Sequence, residues 1–379
     1  MQSTPPPFVS VVIAVCNGET YVARAIDSVL DQDYRQSSEH PYFEIIVIDD
    51  ASRDLTPKIL GHYDSCARII RKKKNHGLAA ARNLGVAVAK GELVAFLDAD
   101  DVWLKSRLSR TVAYLEDARR RDPGVVMAFS DVVPVDDRNV PLASNYIHAG
   151  LTRSPTWDEL LEGWWPILPS TVLIDRAAFN RVGSFTEDYR GASGFEDSEL
   201  WMLLRQQGEF VCVPEPVVLY RLTPFVERMR KYAPGFGLFR QRMRERYGAD
   251  GETLGLRCAA LYRWMLTVKG LRCLEAGEMT EARRALFCAL NYGDDPAPPS
   301  LRHHVHALLF ANGAGPQTDN SNGAANLSDV RRALYSLLPH QYAAEIMRRK
   351  GLLELPPPPP THVGFAQELL AGELPLALY

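Results

Sequence analysis

The feature that most constrains this chain is the run Gly91-Glu92-Leu93-Val94-Ala95-Phe96-Leu97-Asp98-Ala99-Asp100-Asp101, in which five apolar residues pass without transition into three carboxylates over four positions. An apolar run so short and so sharply bounded reads as a strand buried on both faces, the usual state in a parallel sheet. In extended chain Asp98 and Asp100 leave the backbone on the same side. Two carboxylates aimed at one point repel each other unless a cation or a ligand's donors sit between them. A hard divalent ion with a phosphate on its other side answers that need. The plainer alternative is a capped turn opening a helix at Trp103. Recurrence of the pattern upstream favours a site.

The run Phe8-Val9-Ser10-Val11-Val12-Ile13-Ala14-Val15 is a β-branched strand that stops at the polar turn Cys16-Asn17-Gly18-Glu19, and Val22, Ala25, Ile26, Val29 and Leu30 then follow at helical spacing. A second strand, Phe43 to Ile48, is cut off by Asp49-Asp50-Ala51-Ser52, and Arg68-Ile69-Ile70 is a short third. Asn75 to Gly77 form a turn, and Leu78 to Ala87 is an alanine-rich helix leading into the acidic strand. The order β-α-β-α-β-α-β predicts a doubly wound, mostly parallel, Rossmann-like α/β sheet. Three strands end in polar residues (Asn17 with Glu19, Asp49 with Asp50, Asp98 with Asp100) at the edge where open parallel sheets bind ligands. No GxGxxG or GxxxxGK[ST] follows any of these strands, which disfavours a dinucleotide-binding or P-loop enzyme. An acidic edge repels a diphosphate, so a metal must bridge the two.

Farther on, Val125 to Ser130 is another buried strand and Asp136-Asp137-Arg138-Asn139 a hairpin turn. Ile167 to Ile174 holds a strand, and Asp175 to Val182 is a short helix ended by Gly183. The loop Gly191-Ala192-Ser193-Gly194 delivers Glu196 and Asp197 to the start of a helix whose next turn is apolar. Asp197 is then either a helix N-terminal charge or part of the site. Val211 to Tyr220 contains two short strands around Pro214 and Pro216.

Five pieces, VSVVIAVCNGETYVARAIDSVLDQDY, FEIIVIDDASRD, NHGLAAARNLGVAVAKGELVAFLDADD, PSTVLIDRAAFNRVGSF and FEDSELWMLLRQQGEFVCVPEPVVLYR, resemble glycosyltransferase family 2 in the family's order over residues 8–223. The resemblance implies the GT-A fold and an inverting transferase that uses a nucleotide-diphospho-sugar, UDP expected as the nucleotide, with Mg²⁺ or Mn²⁺. It implies that Ala14, Val15, Asn17 and Glu19 line the base and ribose pocket and that Asp49 or Asp50 meets the base. Arg82, with the Asn75–Gly77 turn, would hold the nucleotide from the other side; Asp98 and Ala99 would lie near the ribose. Asp100 would be the metal ligand, with Asp98 beside it, Asp197 the catalytic base, and Glu196 the shaper of the acceptor pocket. An acceptor hydroxyl needs a base to take its proton as the bond forms, and a departing nucleoside diphosphate needs its charge neutralised. Three departures stand out. Ala14-Val15-Cys16-Asn17 replaces the family's frequent proline and tyrosine, Thr223 replaces a histidine near the diphosphate, and the glycine-rich segment before Glu196 predicts an acceptor loop of its own shape.

From Phe225 the chain turns helical and basic (Arg228, Arg230, Lys231, Arg240, Arg242, Arg244, Arg246), either a solvated face or a contact for an anionic membrane surface. Leu256 to Leu290 predicts a tetratricopeptide-like helical hairpin around Ala276-Gly277-Glu278. His303, His304 and His306 lack a partner at ligand spacing; Gly313 to Gly323 is a linker, and Pro356 to Pro360 a polyproline segment. The expected division is residues 1–224 catalytic, 225–312 helical, and 313–379 linker, short helices and proline-rich tail. Six cysteines without a CxxC pair, no signal-peptide pattern in Met1 to Pro7 and no bilayer-length apolar run predict a cytoplasmic protein, with peripheral contact at the inner membrane face as the further expectation. A net charge of −3 gives no reason to expect nucleic acid. The expected acceptor is a hydroxyl of a cell-surface polysaccharide, glycolipid or glycoprotein glycan. Two rivals remain: a catalytically silent scaffold on the same fold, which has no need of three costly acids at one edge, and a nucleotidyltransferase, which calls for a basic glycine-rich loop where Cys16 to Glu19 stands.

Overall fold

The computed structural model describes residues 6–37, 40–141, 154–157, 160, 167–189, 195–222, 235–255, 266, 269, 270, 273 and 278–290. The chain divides into two compact units, Met1–Leu160 with Trp164–Leu222, and Leu161–Gly163 with Thr223–Tyr379.

In the first unit the elements run β1 (Val9–Val15), α1 (Val22–Leu30), β2 (Arg35–Ser37), β3 (His40–Pro41), β4 (Phe43–Asp49), α2 (Thr56–Leu60), β5 (Arg68–Arg71), α3 (Leu78–Ala87) and β6 (Leu93–Asp98). They continue with β7 (Val102–Trp103), α4 (Arg107–Arg121), β8 (Val125–Ser130), β9 (Val133–Val135), β10 (Leu173–Asp175), α5 (Arg176–Arg181), α6 (Glu196–Arg205), β11 (Glu209–Val213) and β12 (Val218–Arg221). Seven strands form one sheet in the order β11-β8-β10-β6-β1-β4-β5. Every neighbouring pair is parallel except those made by β10, which runs antiparallel between β6 and β8. A smaller sheet, β7-β12-β9, lies beyond the end of β6, and β2 pairs with β3.

The main sheet is wound on both faces, because the side-chain period of two sends alternate residues of each strand to opposite cores. Val9, Val11, Ile13 and Val15 of β1 pack with Val22, Ala25, Ile26 and Val29 of α1, Leu60 of α2, and Leu108, Val112 and Leu115 of α4. Val12 and Ala14 point the other way, toward Ala79, Ala81 and Val86 of α3, Phe179 of α5, and Leu200, Trp201 and Leu204 of α6. Gly85 lets α3 lie flat on β1, since a Cβ there would stand 2.3 Å from a Val12 methyl. In β6, Leu93, Ala95 and Leu97 belong to the first core and Val94 and Phe96 to the second. The alternation therefore gives Asp98 the α3–α6 side of the sheet.

Two local expectations need correction, and the plainer alternative at Trp103 falls. The chain does not stay extended through Asp100: Asp101 N–H donates to the Asp98 carbonyl at 3.0 Å, closing a tight turn. Two alternate carboxylates of one strand thus become corners of a loop. No helix opens at Trp103, which lies in β7; α4 starts at Arg107. Of the segment 167–174 only the end is strand, because Pro169–Thr171 forms a 3₁₀ turn first. The hairpin turn is as expected, with Asn139 N–H donating to the Asp136 carbonyl at 3.0 Å, and so is Gly183 at φ 91° just past α5.

In the second unit, α7 (Phe236–Tyr247) and α8 (Met279–Leu290) are described, and α8 buries Ala282, Ala285, Leu286 and Ala289 on the face that their spacing predicts. Arg240 of the basic stretch pairs with Glu252, Nε to Oε1 at 3.0 Å. The segments 142–153, 161–166 and 191–194, Thr223, Arg228, Arg230, Lys231, the three histidines, the linker and the proline-rich tail lie outside the described residues. Among the described residues no helix is long and apolar enough to cross a membrane.

Candidate active site

Three adjacent strands, β6, β1 and β4, end side by side, with Ala14 opposite Asp98 and Val15 opposite Asp49 in register. The loops leaving β1 and β4 are stitched together. Asn17 N–H donates to Ser52 Oγ (2.9 Å), and the Asn17 side-chain oxygen accepts from Arg53 N–H (2.8 Å). Gly18 N–H donates to Thr56 Oγ1 (2.8 Å), Glu19 N–H to Asp54 (3.1 Å), and the Glu19 carboxylate accepts from Leu55 N–H (2.7 Å). Asn17 and Glu19 are therefore engaged in fixing the shape of this rim. Ala14 and Val15 are buried beneath it.

The two acids after β4 differ in their partners. Asp49 accepts from Ser52 N–H at 2.9 Å and so turns its own loop. The Asp50 carboxylate takes His76 N–H (3.0 Å), Gly77 N–H (2.8 Å) and the Lys72 ammonium (2.8 Å), which anchors the start of α3. Gly77 sits there at φ 92°, a backbone conformation that favours glycine. Asn75 closes the rim, its amide donating to Cys16 Sγ at 3.2 Å. Both carboxylates are buried; three donors meet Asp50, and Ser52 N–H meets Asp49.

Behind the rim lies a charged cluster. Arg82 of α3 is 2% exposed; its guanidinium bonds Asp98 at 2.5 Å, stands 3.7 Å from Glu196, and lies over the Phe185 ring at 5.3 Å. Arg82 thus joins the acid at the end of β6 to the acid that opens α6, and it is not open to solvent. Asp197 follows Glu196 in the first turn of α6 and accepts from Ser198 N–H at 2.7 Å. Burial and then the Glu196 charge push its carboxyl up to about 7; Arg82 opposes the shift and Asp98 adds to it. A carboxylate of that basicity accepts a proton near neutral pH, as a general base must.

The turn after β6 is held from both sides. Asp98 N–H donates to Ser170 Oγ (3.0 Å), and Ser170 Oγ donates in turn to Asp101 Oδ2 (2.6 Å). Arg221 N–H donates to Asp101 Oδ1 (2.9 Å), and Arg221 Nε to the Asp100 carbonyl (3.0 Å). Asp101 is buried, and burial, then the charges of Asp100 and Asp98, raise its carboxyl well above the ordinary carboxylate range. Asp101 is a structural acid whose role was not assigned from sequence, where it is simply the third carboxylate of a run. Its partners Ser170 and Arg221, 69 and 120 residues away, carry no local signal. The excess negative charge around this turn and its hard oxygen donors suit Mg²⁺ or Mn²⁺. Among the described residues no three His, Cys, Asp or Glu side chains converge as a ready metal cage. One or two carboxylates completed by phosphate and water fit Mg²⁺ better than an all-protein cage.

Residues 10–183 match the model of glycosyl transferase family 2. A Bacillus subtilis protein provisionally named as a teichuronic acid biosynthesis glycosyltransferase, TuaG, is 34% identical over 179 residues, 46% of this chain and 65% of that protein. An uncharacterised glycosyltransferase of Haemophilus influenzae is 30% identical over 225 residues, 57% of this chain and 66% of that one. The chain spans just under two thirds of the length of both. The Escherichia coli UDP-Glc:alpha-D-GlcNAc-diphosphoundecaprenol beta-1,3-glucosyltransferase WfaP is 29% identical over 205 residues, 53% of this chain and 71% of that protein. Among solved structures, S. aureus TarS residues 1–349, crystallised with UDP-GlcNAc, superposes with a TM-score of 0.50 at 16% identity, covering 90% of this chain and 84% of that one. That likeness is one of fold.

Proposed function

We propose that this chain, whose residues 10–183 match the model of glycosyl transferase family 2, moves a sugar from a nucleotide-diphospho-sugar to an acceptor hydroxyl with inversion at the anomeric carbon. The observation that carries the reading is the cluster Asp98–Arg82–Glu196 with Asp197 beside it, which brings the donor-side acid and the basic carboxyl into one site.

Asp197 takes the proton of the acceptor hydroxyl as its oxygen forms a bond to the anomeric carbon. The bond from that carbon to the phosphate oxygen breaks, and its electron pair leaves with the nucleoside diphosphate. One acceptor-side carboxylate suffices, because a single displacement needs no covalent enzyme intermediate. Glu196 keeps Asp197 basic, and Arg82 holds Asp98 in place against the like charge. Asp100, with Asp98 beside it, would hold Mg²⁺ or Mn²⁺; the ion supplies charge neutralisation to the departing diphosphate. The rim of Asn17, Glu19, Asp49, Asn75 and Gly77, with Ala14 and Val15 beneath it, receives the nucleoside, with Ala99 near the ribose. Asp50 serves by anchoring the Asn75–Gly77 turn.

The name of WfaP states a diphosphoundecaprenol-linked acceptor and a UDP-sugar donor. We extend that class to this chain: a UDP-sugar donor, a lipid-linked glycan acceptor in cell-surface polysaccharide synthesis, and a cytoplasmic protein working at the inner membrane face. A thermal-shift panel of UDP, GDP, dTDP and CMP, each with and without Mn²⁺, tests the donor assignment. The expected result is a Mn²⁺-dependent shift with UDP; no shift with any nucleotide overturns the transferase reading in favour of a silent scaffold.

A further inference from the structure

Arg221, the last residue of β12, is 6% exposed and reaches three separate pieces of the fold. Its backbone N–H donates to Asp101 Oδ1 at 2.9 Å and its Nε to the Asp100 carbonyl at 3.0 Å. Its two terminal nitrogens donate to the Asp136 carbonyl and to the Asn139 side-chain oxygen, both in the hairpin turn after β9. The guanidinium carbon stands 4.2 Å from the centre of the Tyr21 ring, at the threshold of α1, and Tyr21 Oη donates back to the hairpin at Asp137, 3.3 Å away.

The partners are informative by their kind. Among the described residues the guanidinium meets two carbonyls, one amide oxygen and a ring face, all neutral. Carboxylates are at hand in the same hairpin, yet the Asp136 carboxylate accepts from Arg138 N–H (2.9 Å) and Val140 N–H (2.8 Å) and offers Arg221 only its carbonyl. A planar fork with donors in fixed directions is suited to holding several acceptors at set positions, and a lysine cannot replace it there. The acceptor nearest the chemistry is the Asp100 carbonyl. Ser170 and the Arg221 backbone fix the two ends of the turn, at Asp98 and Asp101. The peptide between Asp100 and Asp101 is held at its N–H by the Asp98 carbonyl (3.0 Å) and at its carbonyl, among the described residues, by the Arg221 side chain, which thereby helps to set the direction in which Asp100 leaves the backbone. Without it, repulsion among three neighbouring carboxylates favours opening the turn.

We propose that Arg221 is the positioning residue of the metal-binding turn: braced on the Asp136–Asn139 hairpin and the Tyr21 ring, its guanidinium fixes the Asp100 peptide so that the Asp100 carboxylate is presented to the divalent ion. The assignment rests on the reading of Asp100 as metal ligand.

The test is calorimetric titration of Mn²⁺ into the full chain at fixed UDP, with a parallel UDP titration without metal. Arg221→Met and Arg221→Lys are expected to weaken Mn²⁺ binding by about 10- to 100-fold while metal-free UDP binding changes by less than about twofold, as for loss of an outer-shell partner of a metal ligand. Should Arg221→Met fail to fold, the hairpin side of the brace supplies milder variants. Asn139, at φ 63°, tolerates glycine. Asn139→Gly is expected to weaken Mn²⁺ in the same direction by a smaller factor, and Asn139→Asp, which keeps an acceptor oxygen, to restore it. Mn²⁺ affinity equal to wild type in Arg221→Met, or in Asn139→Gly where the former does not fold, overturns the proposal, as does a parallel loss of metal-free UDP binding. If the wild-type chain shows no Mn²⁺-dependent binding of UDP or of any nucleotide in the panel, the transferase reading itself has failed; if the wild type binds and the variants match it, only the Arg221 assignment has.

Discussion

Asp100 and Asp101 are neighbours of identical chemistry with different partners. Asp101 is buried, bonded by Ser170 and Arg221, and raised well above the ordinary carboxylate range; Asp100 stands at the corner of the turn, half-exposed. Asp197 is the proposed base, and the sign of its pH effect follows from that proposed role. A general base works deprotonated, so kcat/KM should fall as pH drops below about 7, to about a tenth of its plateau one unit lower. Glu196 is among the causes that raise Asp197, so Glu196→Gln should move that acid limb to lower pH. Asp197→Asn should lower transfer by about 10²- to 10⁴-fold while Mn²⁺-dependent nucleotide binding persists. The stability effect has the opposite sign from that of an ordinary salt-bridged acid. A carboxyl raised in the folded state binds its proton more tightly there than in the unfolded chain, so its contribution to stability is lost as pH rises through about 7. Asp197→Asn should therefore melt no lower than wild type at mildly alkaline pH. Undiminished transfer by Asp197→Asn, or an acid limb that ignores Glu196→Gln, removes the base assignment.

At the scale of elements, β1, β4, β6, β8, α1 and α3 were legible because each buries a face with its own period, whereas α2, α4 and the short strands β2, β3, β7 and β9 were not singled out. The uninterrupted β-branched run became a strand buried on both sides, and Val22, Ala25, Ile26 and Val29 became the inner face of α1. What the pattern did not carry was tertiary. The strand β10, antiparallel within the main sheet, the 3₁₀ turn that puts Ser170 under Asp98, and the turn that breaks the Asp98–Asp100 alternation all depend on partners distant in sequence. The loop between β4 and α2 shows a local compromise of another kind. Ala51 sits at φ 63°, in the left-handed region where a Cβ meets the following carbonyl oxygen. That conformation costs an L-residue roughly 1–2 kcal/mol, and the added unfolded-state freedom of glycine returns about 0.4–1 kcal/mol of the gain from replacing it. Ala51→Gly is therefore expected to stabilise by up to about 1 kcal/mol, a rise of about 2–4 °C in Tm for a chain of this size class. Because the Asn17–Arg53 and Glu19–Leu55 bonds hold the neighbouring rim, nucleotide affinity should stay as in wild type. A Tm unchanged or lowered in scanning calorimetry contradicts the strain argument.

The whole chain is divided by contacts, with Leu222 the last residue of the first unit. Every described residue assigned here to nucleotide, metal or proton transfer, from Ala14 to Arg221, belongs to that unit, and so do both cores that set their positions. The residues proposed for the donor site thus come from one sheet, its two helical layers and the small sheet β7-β12-β9. If that is the whole of the donor site, a chain ending at residue 234 should fold and keep the Mn²⁺-dependent nucleotide shift of the full chain. The basic residues from Arg240 onward then have no part in holding the diphosphate; Arg240 itself is engaged by Glu252. Transfer to the proposed lipid-linked acceptor is the activity in which a role for the second unit is to be tested. Comparing donor binding with transfer to a water-soluble and to a lipid-linked acceptor separates the two contributions. Retained nucleotide binding with selective loss on the lipid-linked acceptor assigns the second unit to acceptor delivery. Loss of the Mn²⁺-dependent shift in a shortened chain that still melts cooperatively shows instead that residues beyond 234 complete the donor site, and the one-sheet account of it fails.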